Sequence, residues 1–145
     1  MPRYLCDLHL HSKYARATSK ESDLEHQAEW EGYKGLDIIG TGDFTHPVWF
    51  KELTDKLEET EPGLFQLKQR VPTEQGRPVR FMLTTELSCI YSQGGKVRRV
   101  HLCVFAPSLA AIAKLNTALT ERGCNIRADG RPILGMSSYA ILELL

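Results

Sequence analysis

The chain has no surplus of charge: 18 lysines and arginines are matched by 18 aspartates and glutamates, a formal net charge of zero. A uniformly basic, polyanion-gripping surface is therefore excluded, and any contact with nucleic acid has to come from a local patch. Long apolar runs are missing too. No stretch reaches the roughly 18 consecutive apolar residues of a membrane-spanning helix. Met1-Pro2-Arg3-Tyr4 is not followed by the apolar segment of a signal peptide, so a cytoplasmic protein with no membrane partner is expected. Cysteine is sparse. Cys6, Cys89, Cys103 and Cys124 form no CxxC pair and no cluster, which argues against a thiolate-only zinc site. Three of them lie in apolar strand-like runs, and all four read as reduced, structural residues. What is left is an ordinary globular composition, 42% hydrophobic and 25% charged over 145 residues. That length holds one domain with a real core and is too short for two comfortable ones.

The stretch that stands out is Asp7-Leu8-His9-Leu10-His11. Read as the end of a strand, it puts Leu5, Asp7, His9 and His11 on one face and Tyr4, Cys6, Leu8 and Leu10 on the other. Two imidazoles then converge, and neutral imidazole is the commonest protein ligand for zinc and related metals. Taken alone, the pair fits two surface histidines equally well.

The rest of the chain supplies the context. Ser12 to Lys20 is polar and basic and reads as a loop at the mouth of the site. Ser22-Asp23-Leu24-Glu25 has the form of a capping box opening a helix from about Asp23 to Lys34, with Leu24, Ala28, Trp30 and Tyr33 as its apolar stripe and Gly35 as its stop. Leu36 to Thr41 reads as a strand buried on both faces, completing a βαβ unit. After the turn Gly42 to Pro47, a second helix buries Phe50, Leu53 and Leu57 and ends at Glu61-Pro62-Gly63. A short strand at Leu64 to Leu67 and a loop to Pro78 precede a buried strand, Val79 to Thr85, whose end presents Glu86. Gln93-Gly94-Gly95 is a hairpin turn between Cys89-Ile90-Tyr91 and Val97 to Phe105. Ser108 caps a helix striped by Leu109, Ile112, Leu115 and Leu119 and ended by Gly123. The final segment from Ser137 begins as a helix and has no terminating signal, so the natural domain is expected to continue beyond Leu145.

On this map the ligand-type residues recur at one kind of place. His9 and His11 follow the first strand, Asp43 and His46 the second, and Glu86 a later one, while His101 lies within its strand. Ligands of parallel α/β folds gather outside the carboxyl ends of strands, so the repetition points to a metal cluster. Imidazole with carboxylate suits zinc, manganese or iron without choosing among them. Two or three such ions form a clamp for phosphate oxygens, which implies phosphoester hydrolysis, with Glu86 suited to bridge two ions and Asp7 to orient an imidazole. Lys13 and Arg16 flank the site and are candidates for phosphate contact; Arg98 and Arg99, on opposite faces of one strand, cannot both serve it.

Asp7-Leu8-His9-Leu10-His11-Ser12 resembles the first motif of the PHP (polymerase and histidinol phosphatase) superfamily. Within that superfamily, the runs DLHLHSKYARATSK (residues 7–20) and GTGDFTHPVW (residues 40–49) resemble the endonuclease Q branch. The resemblance implies an α/β fold, the N-terminal part of a distorted (β/α)7 TIM-like barrel around a di- or trinuclear centre of divalent ions, zinc first, with manganese or magnesium as alternatives. It implies metal ligation by His9, His11, Glu86 and His101. In the second motif it aligns Asp43 and leaves His46 as either a displaced ligand or a helix cap; Asp43 and Glu86 are the candidate catalytic carboxylates. The implied activity is that of a metal-dependent DNA repair endonuclease cutting 5′ of deaminated bases or abasic sites, with DNA containing deaminated bases as partner. The family's later histidine and Asp-x-His motifs have no counterpart before Leu145, so residues 1–145 are expected to be an N-terminal piece, inactive or poorly active alone. A phosphatase acting on a small phosphomonoester, and a non-catalytic PHP module, are the competing readings.

Overall fold

The computed structural model describes residues 3–72, 76 and 78–145; residues 73–75 and 77 of the loop expected before Pro78, and Met1-Pro2, lie outside the described residues. In chain order the elements are β1 (Cys6–Asp7), α1 (Leu24–Tyr33), β2 (Ile38–Gly40), α2 (Pro47–Lys56), β3 (Leu57–Glu61), β4 (Leu64–Leu67), β5 (Arg80–Gln93), β6 (Lys96–Ala106), α3 (Leu109–Glu121), β7 (Ile133–Leu134) and α4 (Ser138–Leu142). They build one mixed sheet in the order β1-β2-β5-β4-β3, with β6 and β7 also paired to β5.

β5 is the spine of this α/β arrangement. Its first residues lie parallel to β2, Ile39 opposite Phe81, and Phe81 faces Phe65 of antiparallel β4 on the other side. From Leu83 onward the same strand changes neighbours and pairs antiparallel with β6 as far as Gln93, while Ser88 and Cys89 pair parallel with β7. These neighbours enclose the strand, and residues 83–89 are all buried, with Thr84, Thr85, Glu86 and Ser88 among them. Glu86 therefore does not end its strand, as the sequence suggested. It lies midway along β5, past the carboxyl ends of β1 and β2, where those shorter strands stop and leave space above them.

The hairpin turn is as read. Gly94 and Gly95 both have positive φ, 59° and 71°, the type I′ geometry whose twist matches the flanking strands. Ser108 caps α3 by accepting from the Ala111 backbone N–H, and Ile112, Leu115 and Leu119 are buried. Two helix expectations need correction. The N-cap of α1 is Asp23, not Ser22, and its buried face is Leu24, Gln27, Ala28 and Glu31, leaving Trp30 61% exposed. α2 stops at Lys56, because residues 57–61 become β3 and Glu61-Pro62-Gly63 turns back into β4. Leu53, Trp49 and Phe44 are fully buried in the core with Ile39, Phe81 and Leu83. Of the cysteines all are free, but only Cys89 is buried, and Cys6 and Cys103 are exposed, so the expected burial of strand thiols holds at one position. Among the described residues no helix is long and apolar enough to cross a membrane.

Candidate metal centre

The site starts from close backbone contact. The 8–11 segment after β1 lies against residues 40–43, so closely that a Cβ at Gly40 would meet the Leu8 carbonyl oxygen at 2.6 Å, and one at Gly42 would run into the Leu10 carbonyl. Gly42 also has φ of 63°, so both space and backbone demand glycine there. The next residue, Asp43, shares the left-handed conformation at φ 52°, which aspartate tolerates better than most residues. Trp49 holds the turn from below by donating its indole N–H to the Gly42 carbonyl at 2.9 Å; it is core, with no exposed ring to offer a ligand.

This strained turn delivers a fully buried carboxylate. Asp43 Oδ2 accepts from the Ser12 backbone N–H at 2.6 Å and from the Ser12 hydroxyl at 2.7 Å, and Oδ1 lies 2.9 Å from His11 Nδ1. Its hydrogen bond to His11 is the largest cause of that imidazole's raised pKa; burial opposes it, and the charges of Asp43 and Glu86 add to it. With Nδ1 committed to Asp43, the free nitrogen of the His11 ring is Nε2, 3.0 Å from Glu86 Oε2.

Glu86 is the centre of the group. Its Oε2 also lies 3.0 Å from His9 Nε2, while His101 Nδ1 reaches Oε1 at 2.5 Å. Ladder register explains the last contact: Ser88 faces His101 and Glu86 faces Cys103, so His101 is the diagonal neighbour of Glu86 on the same face. The Glu86 side chain is 3% exposed, whereas His9 is 56% exposed, a buried carboxylate under solvent-facing imidazoles. Burial pushes the Glu86 carboxyl up, but His9, Arg131, His101 and His11 together outweigh it and leave it below the ordinary glutamate range. One imidazole of this set already has its far nitrogen oriented by a carboxylate, the arrangement of metal-ligating histidines. His9, His11 and Glu86 each offer a ligating atom within 4.8 Å of the others. The donor set fits a divalent cation.

Other expected residues fall elsewhere. Asp43 touches His11 from the far side and lies outside the 4.8 Å group. His46 is the N-cap of α2, its Nδ1 accepting from Trp49 N, and it stacks on Tyr14 with ring centroids 4.5 Å apart; burial lowers its pKa, against a hydrogen bond to the Arg127 backbone. Of the two roles left open for it, the geometry supplies the cap. Asp7 accepts from the His9 backbone N–H and not from an imidazole. Lys13 pairs with Glu52 at 3.0 Å, and Arg16 pairs with Asp129 at 3.2 Å. Two residues had no signal in the sequence, Gly130, whose missing side chain makes room for the Asp43 carboxylate, and Arg131, whose Nη1 lies 3.7 Å from Glu86 Oε2; Ser12, present only as the last residue of the first motif and given no role there, clamps Asp43.

No family model matches the chain. It is 32% identical over 139 residues to the uncharacterized protein MJ0043 of Methanocaldococcus jannaschii, an alignment covering 96% of this chain and 14% of that protein. Among solved structures it is similar to PfuEndoQ, a lesion-specific endonuclease of Pyrococcus furiosus, with a TM-score of 0.76 and 31% identity. It is also similar to endonuclease Q bound to a 27-mer duplex with an abasic lesion at the active site, with a TM-score of 0.77 and 32% identity. These matches cover 97% and 96% of the chain and 31% of each solved protein, so the chain spans under a third of the endonuclease Q structures it resembles. Over nearly its whole length, in sequence and in mixed α/β architecture, the chain is similar to about a third of endonuclease Q.

Proposed function

We propose that this chain forms the part of a DNA repair endonuclease that gathers divalent metal ions for phosphodiester hydrolysis. The observation that carries the proposal is Glu86, a buried carboxylate with imidazoles of the 8–11 segment on one oxygen and the imidazole of β6 on the other. With that division Glu86 would hold one cation together with His9 and His11, and His101 would add a donor on its other oxygen. Asp43 acts through His11: by accepting from Nδ1 it keeps Nε2 turned to the cluster. When bound, such ions supply a hydroxide nucleophile at neutral pH and neutralise charge on a phosphoryl group.

The finer points of the reading rest on resemblance to the PHP superfamily and on the lesion-directed relatives. They are a PHP-type barrel, zinc as the metal with manganese or magnesium as alternatives, and cleavage 5′ of deaminated bases or abasic sites. Lys13 and Arg16 stand at the rim as backbone-phosphate contacts, and each would share its charge between DNA and an acidic partner, Glu52 or Asp129. Residues 1–145 alone are expected to bind metal and to cleave poorly.

Equilibrium dialysis against zinc and manganese tests this. The chain should take up metal, and Glu86→Gln should weaken uptake at least ~10-fold, the lower end of what even outer ligand partners contribute. Cleavage of a uracil or abasic duplex set against a panel of small phosphomonoesters separates endonuclease from phosphatase. Unchanged metal affinity in Glu86→Gln would refute the proposal.

A further inference from the structure

Residues 127–132 have no regular structure, yet Asp129, Gly130 and Pro132 tie them across the candidate site. The Gly130 backbone N–H donates to the Tyr14 carbonyl at 3.0 Å, and the Pro132 carbonyl accepts from the Ser88 N–H at 3.1 Å. Asp129 Oδ1 accepts from the backbone N–H groups of Arg131, at 3.1 Å, and Arg16, at 3.3 Å. Gly130 lies so close to Asp43 that a Cβ would overlap its carboxylate. The strap is thus anchored to the loop after His11 on one side and to β5, two residues beyond Glu86, on the other. Between those anchors it holds Arg131 over the cluster.

We propose that Arg131 is the site's anion-holding residue, its guanidinium taking a phosphoryl oxygen of the substrate once a cation sits among His9, His11 and Glu86. The inference rests on the metal reading above. Three observations carry it. The Arg131 side chain is 42% exposed, and its ion pair with Glu86, at 3.7 Å, is longer than a hydrogen bond, so the five guanidinium N–H groups remain largely uncommitted among the described residues. Lys13 and Arg16, the other cations at the rim, already share their charge with Glu52 and Asp129, at 3.0 and 3.2 Å. Finally, Arg131 offsets Glu86 only while no other cation does. A divalent ion on Glu86 makes the guanidinium a like charge, and a phosphoryl group relieves that repulsion by lying between the two. A planar fork fixed at its Cα suits that task better than a flexible ammonium.

The test uses the 145-residue chain, loaded with manganese and titrated calorimetrically with inorganic phosphate, and separately with a short duplex carrying an abasic site. Arg131→Met should bind manganese as tightly as the parent or more tightly, because a neighbouring positive charge is gone. It should bind phosphate about tenfold or more weakly, as expected for one lost charged contact, with Arg131→Lys between the two. A loss with both probes identifies the anion as a DNA diester. A loss with inorganic phosphate alone identifies a phosphomonoester, and either result supports the role. Phosphate affinity in Arg131→Met within twofold of the parent overturns it. So does loss of manganese with an unchanged melting temperature, since Arg131 would then be serving Glu86. A parent chain that takes up no manganese overturns the metal reading first and this inference with it.

Discussion

Replacing Gly130 by alanine tests how tightly the strap is fitted to the candidate site. Gly130 does not have a positive φ, so alanine meets no backbone objection, and by narrowing the unfolded ensemble it should stabilise by about 0.4–1 kcal/mol. Space is the obstacle. The added methyl would overlap the Asp43 carboxylate and lie 3.0 Å from Ala15 N. If Asp43 yields, it gives up one of its bonds to Ser12 or His11, each a hydrogen bond to a charged group worth roughly 1.5–3 kcal/mol. If the strap yields, the Gly130 bond to Tyr14 is lost, about 1 kcal/mol, together with an overpacking strain of about 1–3 kcal/mol. Either route leaves a net loss of about 2 kcal/mol, or a fall of roughly 4–8 °C in melting temperature for a chain of this size. Circular dichroism melts of Gly130→Ala beside Gly135→Ala provide the assay. Gly135 has open space around it and no positive φ, so its variant keeps the unfolded-state gain and should melt about 1–4 °C above the parent. Equal melting of the two variants would mean that the strap is not packed on Asp43, and the argument for Arg131's placement would go with it.

Two further expectations concern titration. In the metal-free protein His11 should titrate above 6.5, and Asp43→Asn, which removes the principal cause, should bring the midpoint down in an NMR titration. Because that folded pKa is raised, the pair's contribution to stability is complete below 6.5 and is lost as pH rises through the folded midpoint. The stability gap between parent and Asp43→Asn in denaturant should therefore shrink on going alkaline, and a widening gap would contradict the assignment. Tyr14, half-buried and hydrogen-bonded to Glu52 at 2.6 Å, is pushed up to about 12. Tyrosinate absorbance should contain a component with a midpoint near 12 that Tyr14→Phe abolishes; a parent whose tyrosines all ionise well before that would disprove it.

What could be read from the sequence was what local chemistry encodes. Two glycines at a hairpin tip and a serine before an apolar stripe each act over a few residues and appear where expected, whereas the His-x-His pair, read as a strand end, sits on an irregular segment because β1 stops at Asp7. The end of α2 was misjudged because Glu58-Glu59-Thr60-Glu61 is charged without a period, so only pairing with β4 decides that it is a strand. The apolar stripe on α1 held at Leu24 and Ala28 and failed at its other two positions for the opposite reason. Trp30 and Tyr33 supplied a plausible pattern, but the buried positions belong to Gln27 and Glu31. The roles of Arg131, Gly130 and Ser12 escaped notice because they depend on contacts with residues far away in the chain, and irregular segments such as 127–132 have no periodicity to announce them.

The β5–β6 ribbon makes the cluster a composite of two independently built halves. His9 and His11 arrive on the opening segment, whereas Glu86 and His101 share one antiparallel ladder whose alignment is set at Gly94-Gly95. Side chains on a strand alternate with a period of two, so a one-residue slip of β6 would carry His101 to the reverse side while both strands stayed intact. The length of that tip, remote from any ligating atom, therefore determines how many imidazoles Glu86 can meet.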